Sequence, residues 1–343
     1  MMSYKIGLVG CGRIAEKHFE AIHSEKKFKL VAVCDTIIDR AKLVGEKYDV
    51  PFFKNMEKMI DSVQMDILSI CTPSGLHPQQ GILAAEHKIH VLTEKPMATR
   101  LNEADALIQA CDKNRVQLFV VKQNRLNATM QLLKSAIEKE RFGKVYQAIV
   151  NVFWQRPQEY YNAAKWRGTW EFDGGAFLNQ ASHYVDALEW LIGEPESVMG
   201  MTATMARKIE SEDMGAAIVR FRNGVIATIN VSMLTYPKNY EGSITILGEK
   251  GTAKIGGVAV NTIEKWEFAA YDDDDKLVLE TNYNPPNIYG FGHQAYYKNV
   301  AEVLAGKQEA NTDGRAGRKS LELILGIYKS SQTGKRIALP LTL

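Results

Sequence analysis

No apolar run in this sequence approaches the ~20 residues that would cross a bilayer. The first such run, Ile6 to Val9, is too short for the core of a secretory leader. An excess of charge of one sign is missing as well. The chain has 42 basic and 40 acidic residues, a net +2 with no basic stripe, which excludes a nucleic-acid footprint. Cysteine is scarce: Cys11, Cys34, Cys71 and Cys111 show no CxxC or metal-ligand spacing and all lie in the first third. Reduced, mostly buried thiols are expected rather than a disulfide framework or a metal centre. No internal repeat is present, and 45% apolar with 24% charged residues excludes disorder, collagen and coiled coil. What remains is a globular protein, expected in the cytoplasm, with a small-molecule partner and neither membrane nor nucleic acid.

At 343 residues the prior is two domains. The first 122 residues alternate strands (5–10, 30–35, 65–71, 90–93, 117–121) with helices (14–23, 40–48, 77–87, 102–114), the pattern of a parallel, doubly wound sheet. A helix over 128–140 and an alternating strand over 144–153 follow. After a Trp/Tyr/Arg-rich loop come a helix near 179–191 and strands at 197–207, 215–221, 225–233, 242–247, 252–255 and 263–268, with Asn223-Gly224 as a hairpin turn. Consecutive strands without helices predict an antiparallel sheet. A last helix covers 317–330. The expected division is 1–122, an α/β Rossmann domain, and 123–343, an α+β domain with an open, mostly antiparallel sheet. The acidic run Asp272–Asp275 before Lys276 reads as a solvated hairpin tip.

Gly10-Cys11-Gly12-Arg13-Ile14-Ala15 matches G-x-G-x-x-A. It follows a strand, opens a helix and precedes a second strand ending in Asp35. Glycines there let the backbone approach a pyrophosphate seated on the helix N-terminus. An acid about 20 residues further on suits adenosine ribose hydroxyls and repels a 2′-phosphate, which favours NAD over NADP. Cys71-Thr72-Pro73-Ser74-Gly75-Leu76-His77 lies at the carboxyl edge of the same sheet, where Thr72 and Ser74 can reach phosphate or ribose oxygens. In Glu94-Lys95-Pro96 the lysine is held extended by the proline. Beside a nicotinamide it would lower a hydroxyl's pKa.

The stretch Asp173-Gly174-Gly175 to Asp186 is the second chemical candidate. Asn179, His183 and Asp186 are spaced i, i+4, i+7 and share one face of a regular helix, an amide, an imidazole and a carboxylate in a row. The imidazole can accept a hydroxyl proton and the carboxylate can orient it. No second His or Cys has zinc-ligand spacing to His183. Arg156, Lys165, Arg167 and Lys238 are interleaved with Trp154, Tyr160, Tyr161, Trp166 and Tyr236. Cations suit a carboxylate or diphosphate, and aromatics a sugar or uracil face. Arg315 and Arg318, ahead of the last helix, are candidates to reach substrate across a subunit contact.

Together the G-C-G turn, Cys71–His77, Glu94-Lys95-Pro96 and the Gly-Gly…His183 helix resemble the glucose–fructose oxidoreductase / inositol dehydrogenase family over essentially the whole chain. The resemblance implies NAD held by Gly10, Gly12, Arg13, Ile14, Asp35, Thr72, Pro73, Ser74, His77, Glu94, Lys95, Gln123 and Trp166. It makes Lys95 and His183 the catalytic pair, with a Lys95–Pro96 bond that is often cis, and implies a homodimer or homotetramer built on the open sheet. The stretch 165–186, with 234–243 and Leu247-Gly248-Glu249-Lys250-Gly251-Thr252, is similar to the UDP-N-acetylglucosaminuronate 3-dehydrogenases of bacterial surface-polysaccharide (lipopolysaccharide O-antigen) synthesis. That narrower resemblance implies oxidation of a UDP-linked uronate at C3 and NAD regenerated with 2-oxoglutarate. The substrate contacts implied are Lys95, Arg156, Arg167, Asn179, His183, Tyr236, Lys238 and Asn239. Many family members carry Asp at the position of Asn179. An amide cannot act as a base, so the proton falls to His183 or Lys95. Two other readings stay open on the residues alone: another sugar or polyol dehydrogenase, and an NAD-binding regulator without turnover.

Overall fold

A short strand with its last four residues, Ile6 to Val9, buried, β1 (Tyr4–Val9), starts a sheet that the next elements complete. They are α1 (Ala15–Ser24), β2 (Phe28–Cys34), α2 (Ile38–Tyr48), β3 (Phe52–Phe53), α3 (Met56–Ser62), β4 (Ile67–Ile70), α4 (His77–Glu86), β5 (His90–Thr93), α5 (Leu101–Asn114) and β6 (Leu118–Val120). The structure, a computed structural model, describes residues 3–257, 259–283, 290 and 292–342. All pairings in this sheet are parallel, in the order β3-β2-β1-β4-β5-β6. The order reverses between β1 and β4, so their carboxyl ends flank the crevice in which open α/β sheets bind ligands.

After β6 come α6 (Ala128–Glu138), β7 (Val145–Phe153), α7 (Gln158–Asn162), α8 (Ser182–Ile192), β8 (Pro195–Ala203), β9 (Met214–Phe221), β10 (Ile226–Ser232), β11 (Glu241–Gly248), β12 (Gly251–Gly256) and β13 (Thr262–Phe268). The chain ends with α9 (Val278–Thr281), α10 (Gly292–Leu304), α11 (Gly314–Thr333) and β14 (Ile337–Ala338). The second sheet runs β13-β12-β11-β7-β10-β9-β8-β14 and is antiparallel except where β10 lies parallel to β7. Helix α8 buries Tyr184, Val185, Ala187, Leu188, Leu191 and Ile192 and packs on β7 and β11. The opposite side chains of β8, β9 and β10, including Met199, Met201, Ile218 and Ile226, are exposed.

Two compact units result, but not by a single cut at 122/123. Residues Met1–Lys122 join His293–Arg318, and Gln123–Gly292 joins Lys319–Leu343. The reason is the open edge of β6, whose unpaired backbone groups need partners. The returning segment supplies them. Val120 N donates to Thr312 O (3.2 Å), and Tyr296 Oη (2.7 Å) and Thr312 Oγ1 (2.6 Å) donate to Val120 O. Arg315 and Arg318 belong to the same unit and pair with Asp112 (2.7 Å) and Asp105 on α5.

The strand expected over 197–207 stops at Ala203, because the backbone N–H groups of Met205, Ala206 and Arg207 all donate to the Asp213 carboxylate (2.8–2.9 Å) and turn the chain. The acidic run is not a hairpin tip. Asp272 and Asp275 close a capping box on a 3-10 turn, Asp273–Leu277, that leads into α9. Asp275 accepts from Arg141 (2.6 and 2.9 Å), Trp266 Nε1 (2.7 Å) and Asp272 N (2.9 Å). Burial alone would raise its pKa, but these bonds outweigh it and hold the carboxyl at about 2. A carboxyl depressed in the fold stabilises above its unfolded value, about 3.9, and the contribution disappears as pH falls through the folded one. Asp275→Asn should therefore cost about 1 kcal/mol at pH 7. In thermal melts from pH 7 to 2 its deficit against the parent should close below pH 4, and a deficit independent of pH would refute the charged pairing.

Candidate functional site

The glycine turn is built by close approach. Gly10 has φ +91°, and a Cβ there would sit 2.7 Å from the Cys71 carbonyl. At Gly12 a Cβ would meet no atom within 4 Å, so open space lies in front of the α1 N-terminus. Arg13 is exposed and Ile14 half-buried in the same turn. Asp35, 8% exposed, braces it: Cys11 N donates to Oδ2 (2.9 Å) and Ile37 N to Oδ1 (2.8 Å). An open cradle on a helix N-terminus, with an acid at the adjacent strand end, fits the pyrophosphate and ribose of NAD. All four thiols are unpaired. Burial, with Asp35 nearby, pushes Cys11 up to about 12, so it stays a protonated thiol.

Beyond β4, Thr72 Oγ1 donates to Gln80 Oε1 (2.6 Å), and Pro73 leads into a 3-10 turn whose Ser74 is buried. His77 is held by two loops. Its Nδ1 faces Pro96 O and its Nε2 faces Thr72 O, each at 2.8 Å, so the ring laces the loops after β4 and β5 together. Burial holds its pKa below the ordinary value. Lys95 is half-buried and followed by a cis bond to Pro96. Glu94 is also committed to the protein. Its Oε1 meets His18 Nε2 (3.0 Å) and His293 Nε2 (3.5 Å), and its Oε2 accepts from Lys95 N (3.1 Å). The carboxylate thus supports the main chain of its neighbour Lys95. The sequence reading missed His18 and His293, which lie 76 and 199 residues from Glu94 and form no local motif.

In the second unit the expected row Asn179–His183–Asp186 is broken. Residues Ala176–Gln180 form a π-helical turn and α8 begins at Ser182, so the 3.6-residue phase does not carry across. Asn179 Nδ2 donates to Asp173 Oδ1. Asp186 is clamped by Arg125 through Nε (2.7 Å) and Nη2 (2.8 Å). His183 Nε2 lies 3.3 Å from the side-chain amide nitrogen of Gln123. Gln123 Oε1 is buried without a hydrogen-bond partner among the described residues. Glu212 shapes the turn and carried no sequence signal. Its Oε1 accepts from Phe177 N and Tyr328 Oη, both 2.9 Å, and its Oε2 occupies the space a Cβ at Gly175 would need. Burial raises its pKa to about 7.

The cation-aromatic loop divides into two kinds of arginine. Arg156 is buried and braced: Nε donates to Gln180 Oε1 (2.9 Å), and Nη1 to Gln155 O (2.7 Å) and Asn239 Oδ1 (3.4 Å). Asn239 also accepts from Gln155 N (2.9 Å), so this pair pins the loop. Arg167 stacks over Tyr160 (4.3 Å) and near Trp166 (5.6 Å), with Nη1 on Tyr160 O (2.7 Å). Its Nε is buried and, among the described residues, has no hydrogen-bond partner. Tyr236 and Lys238 are exposed at the tip of the β10–β11 connection.

Residues 4–122 match the description "Oxidoreductase family, NAD-binding Rossmann fold" and residues 134–339 match "Oxidoreductase family, C-terminal alpha/beta domain". The fold is similar to the WlbA dehydrogenase of Bordetella pertussis in complex with NADH and UDP-GlcNAcA, at 53% identity, TM-score 0.97 and 99% of each chain. It is also similar to WlbA from Chromobacterium violaceum with the same ligands, at 50% identity and TM-score 0.96, over all of this chain and 98% of the other. Among curated proteins, myo-inositol 2-dehydrogenase of Thermotoga maritima is 26% identical over 76% of this chain and 77% of its own. With an NAD cradle in the first unit and family matches across both, the chain belongs to the glucose–fructose oxidoreductase / inositol dehydrogenase (Gfo/Idh/MocA) family of NAD-dependent oxidoreductases.

Proposed function

We propose that this enzyme oxidises the C3 hydroxyl of UDP-N-acetylglucosaminuronate to a ketone, as a step of bacterial surface-polysaccharide synthesis in the cytoplasm. The observation that carries this reading is the 53% identity, over nearly the whole chain, to a dehydrogenase described with NADH and UDP-GlcNAcA. Residues in and around the G-C-G turn, with Asp35, Thr72, Ser74, Gln123 and Trp166, hold the cofactor; bound NAD supplies the hydride acceptor. His183, whose Nε2 lies beside the Gln123 side-chain amide, takes the hydroxyl proton as general base once the substrate hydroxyl displaces that contact. Lys95 holds the sugar oxygen and stabilises negative charge on it as the proton leaves. Asn179 orients the sugar. The buried Nε of Arg167 answers to the uronate carboxylate, with Tyr236 and Lys238 at the nucleotide end. 2-Oxoglutarate serves as reoxidant. A homo-oligomer covers the outward sheet face, where Met199, Met201, Ile218 and Ile226 are 45–79% exposed.

Turnover of the UDP-uronate should yield a product two hydrogens lighter by mass spectrometry, with inositol and glucose unreacted. Arg167→Ala should weaken the uronate by roughly tenfold or more, the worth of a charged hydrogen bond, and affect neutral UDP-N-acetylglucosamine less. An equal loss on both sugars would make Arg167 structural. In a binding assay NAD should be tighter than NADP, because Asp35 stands at the strand end that meets the 2′ position. The reverse order would sink that reading of Asp35. Lys95→Ala and His183→Asn should each lose at least about 10²-fold in kcat with cofactor still bound, and Asn179→Ala should mainly raise KM. A fast His183→Asn variant beside an inactive Asn179→Ala would relocate the base.

A further inference from the structure

Beneath Lys95 the first unit holds a polar cluster far from any surface. His18 is 0% exposed, His293 3% and Glu94 5%. His18 comes from α1, the helix opened by the glycine turn, and His293 from α10, near the start of the returning segment. Both present Nε2 to one carboxylate oxygen of Glu94, at 3.0 and 3.5 Å, and their rings meet edge-on at 5.3 Å. The other carboxylate oxygen accepts the main-chain N–H of Lys95. Around them, His18 Nδ1 meets Tyr297 Oη (2.8 Å) and Ser69 Oγ (3.1 Å), and Ser69 Oγ lies 3.7 Å from Cys71 Sγ. An uncompensated buried carboxylate costs several kcal/mol, and here every oxygen is engaged. Burial would raise the Glu94 pKa, but the bonds from His18 and His293 hold it well below the carboxylate range. His18 goes the opposite way. Burial would lower it, yet Cys71, Tyr297 and Glu94 hold it well above the ordinary imidazole value. Burial keeps His293 below it, with the His18 charge adding to that effect and Lys17 contributing more weakly.

We propose that His18 and His293 are positioning residues that clamp the Glu94 carboxylate so that it fixes the main chain of Lys95, coupling the orientation of the Lys95 ammonium to the cofactor-binding helix α1. A carboxylate gripped on one oxygen can offer the other in only one direction, and the Lys95 N–H is what it meets. The inference rests on Lys95 acting in the reaction, so the two ideas need separate arms.

The full-length enzyme is assayed with NAD and UDP-N-acetylglucosaminuronate as His18→Leu, His18→Gln, Glu94→Gln, His293→Phe and Lys95→Met. The Gln variant at 18 places an amide nitrogen near the lost Nε2. Expected for His18→Leu is a kcat loss of about 10- to 100-fold, with sugar KM and NAD Kd within threefold, and a shift in the alkaline limb of the kcat–pH profile. His18→Gln should regain most of the rate, and Glu94→Gln, which keeps the shape and loses the charge, should match His18→Leu. If His18→Leu fails to fold, His293→Phe carries the same readouts from the other side of the carboxylate. The clamp is overturned if the folded variants lose NAD affinity and kcat in parallel with the pH profile unmoved, or if Gln at 18 is no better than Leu. It is also overturned if chelation inactivates the parent enzyme, because the three side chains place ligand atoms within 4.8 Å of one another and a bound divalent ion would then replace the hydrogen bonds. A fully active Lys95→Met refutes the role of Lys95 itself, whatever the histidine variants do.

Discussion

The first unit depends on the approach of Gly10 to the Cys71 carbonyl, a gap too small for any side chain. It brings the ends of β1 and β4 together where the strand order reverses. Because the chain is that tight at Gly10, Cys11 N is aimed at Asp35 and the α1 N-terminus opens outward beside Gly12. One acid thus serves the turn's geometry and stands where a ribose would lie. A substitution at Asp35 disturbs both, and separating them requires a change that keeps an acceptor for the two backbone N–H groups.

In the second unit the analogous constraint is carried by a side chain. Glu212 fills the space next to Gly175 and accepts from Phe177 N, at the base of the π-helical turn. The turn determines where Asn179 and His183 lie relative to one another. Asp186 ties α8 to Arg125. The acid nearest His183 in sequence thus also serves the scaffold, and the carboxamide of Gln123 lies beside the imidazole.

How much of this was legible in the sequence follows from which interactions are local. Strands bounded by turn residues were readable: β5 runs His90–Thr93 as expected, and the helix drawn over 102–114 begins one residue earlier. The glycine turn and Glu94-Lys95-Pro96 carry their meaning within a few residues. Helix α10 was invisible because its buried Tyr296, Tyr297 and Val300 are weak helix formers, and Tyr296 is held by a bond to Val120 O that forms only after folding. The π-helical turn defeated a spacing argument that assumes one helical period throughout. Arg156 and Arg167 look alike in sequence, and only the bonds made after folding show that Arg156 pins a loop while Arg167 keeps a buried nitrogen with no hydrogen-bond partner among the described residues.

The discontinuity of the first unit has a consequence for how the protein is made. Thr312, which caps the edge of β6 through Val120, lies 192 residues further along the chain. At a synthesis rate of about 5–20 residues per second, the edge waits about 10–40 s on the ribosome for its cover. During that interval the nascent sheet offers a bare parallel strand to any neighbouring chain, and the polar cluster under Lys95 lacks His293. The cofactor turn is translated first, yet the unit that contains it is among the last parts of the molecule to close.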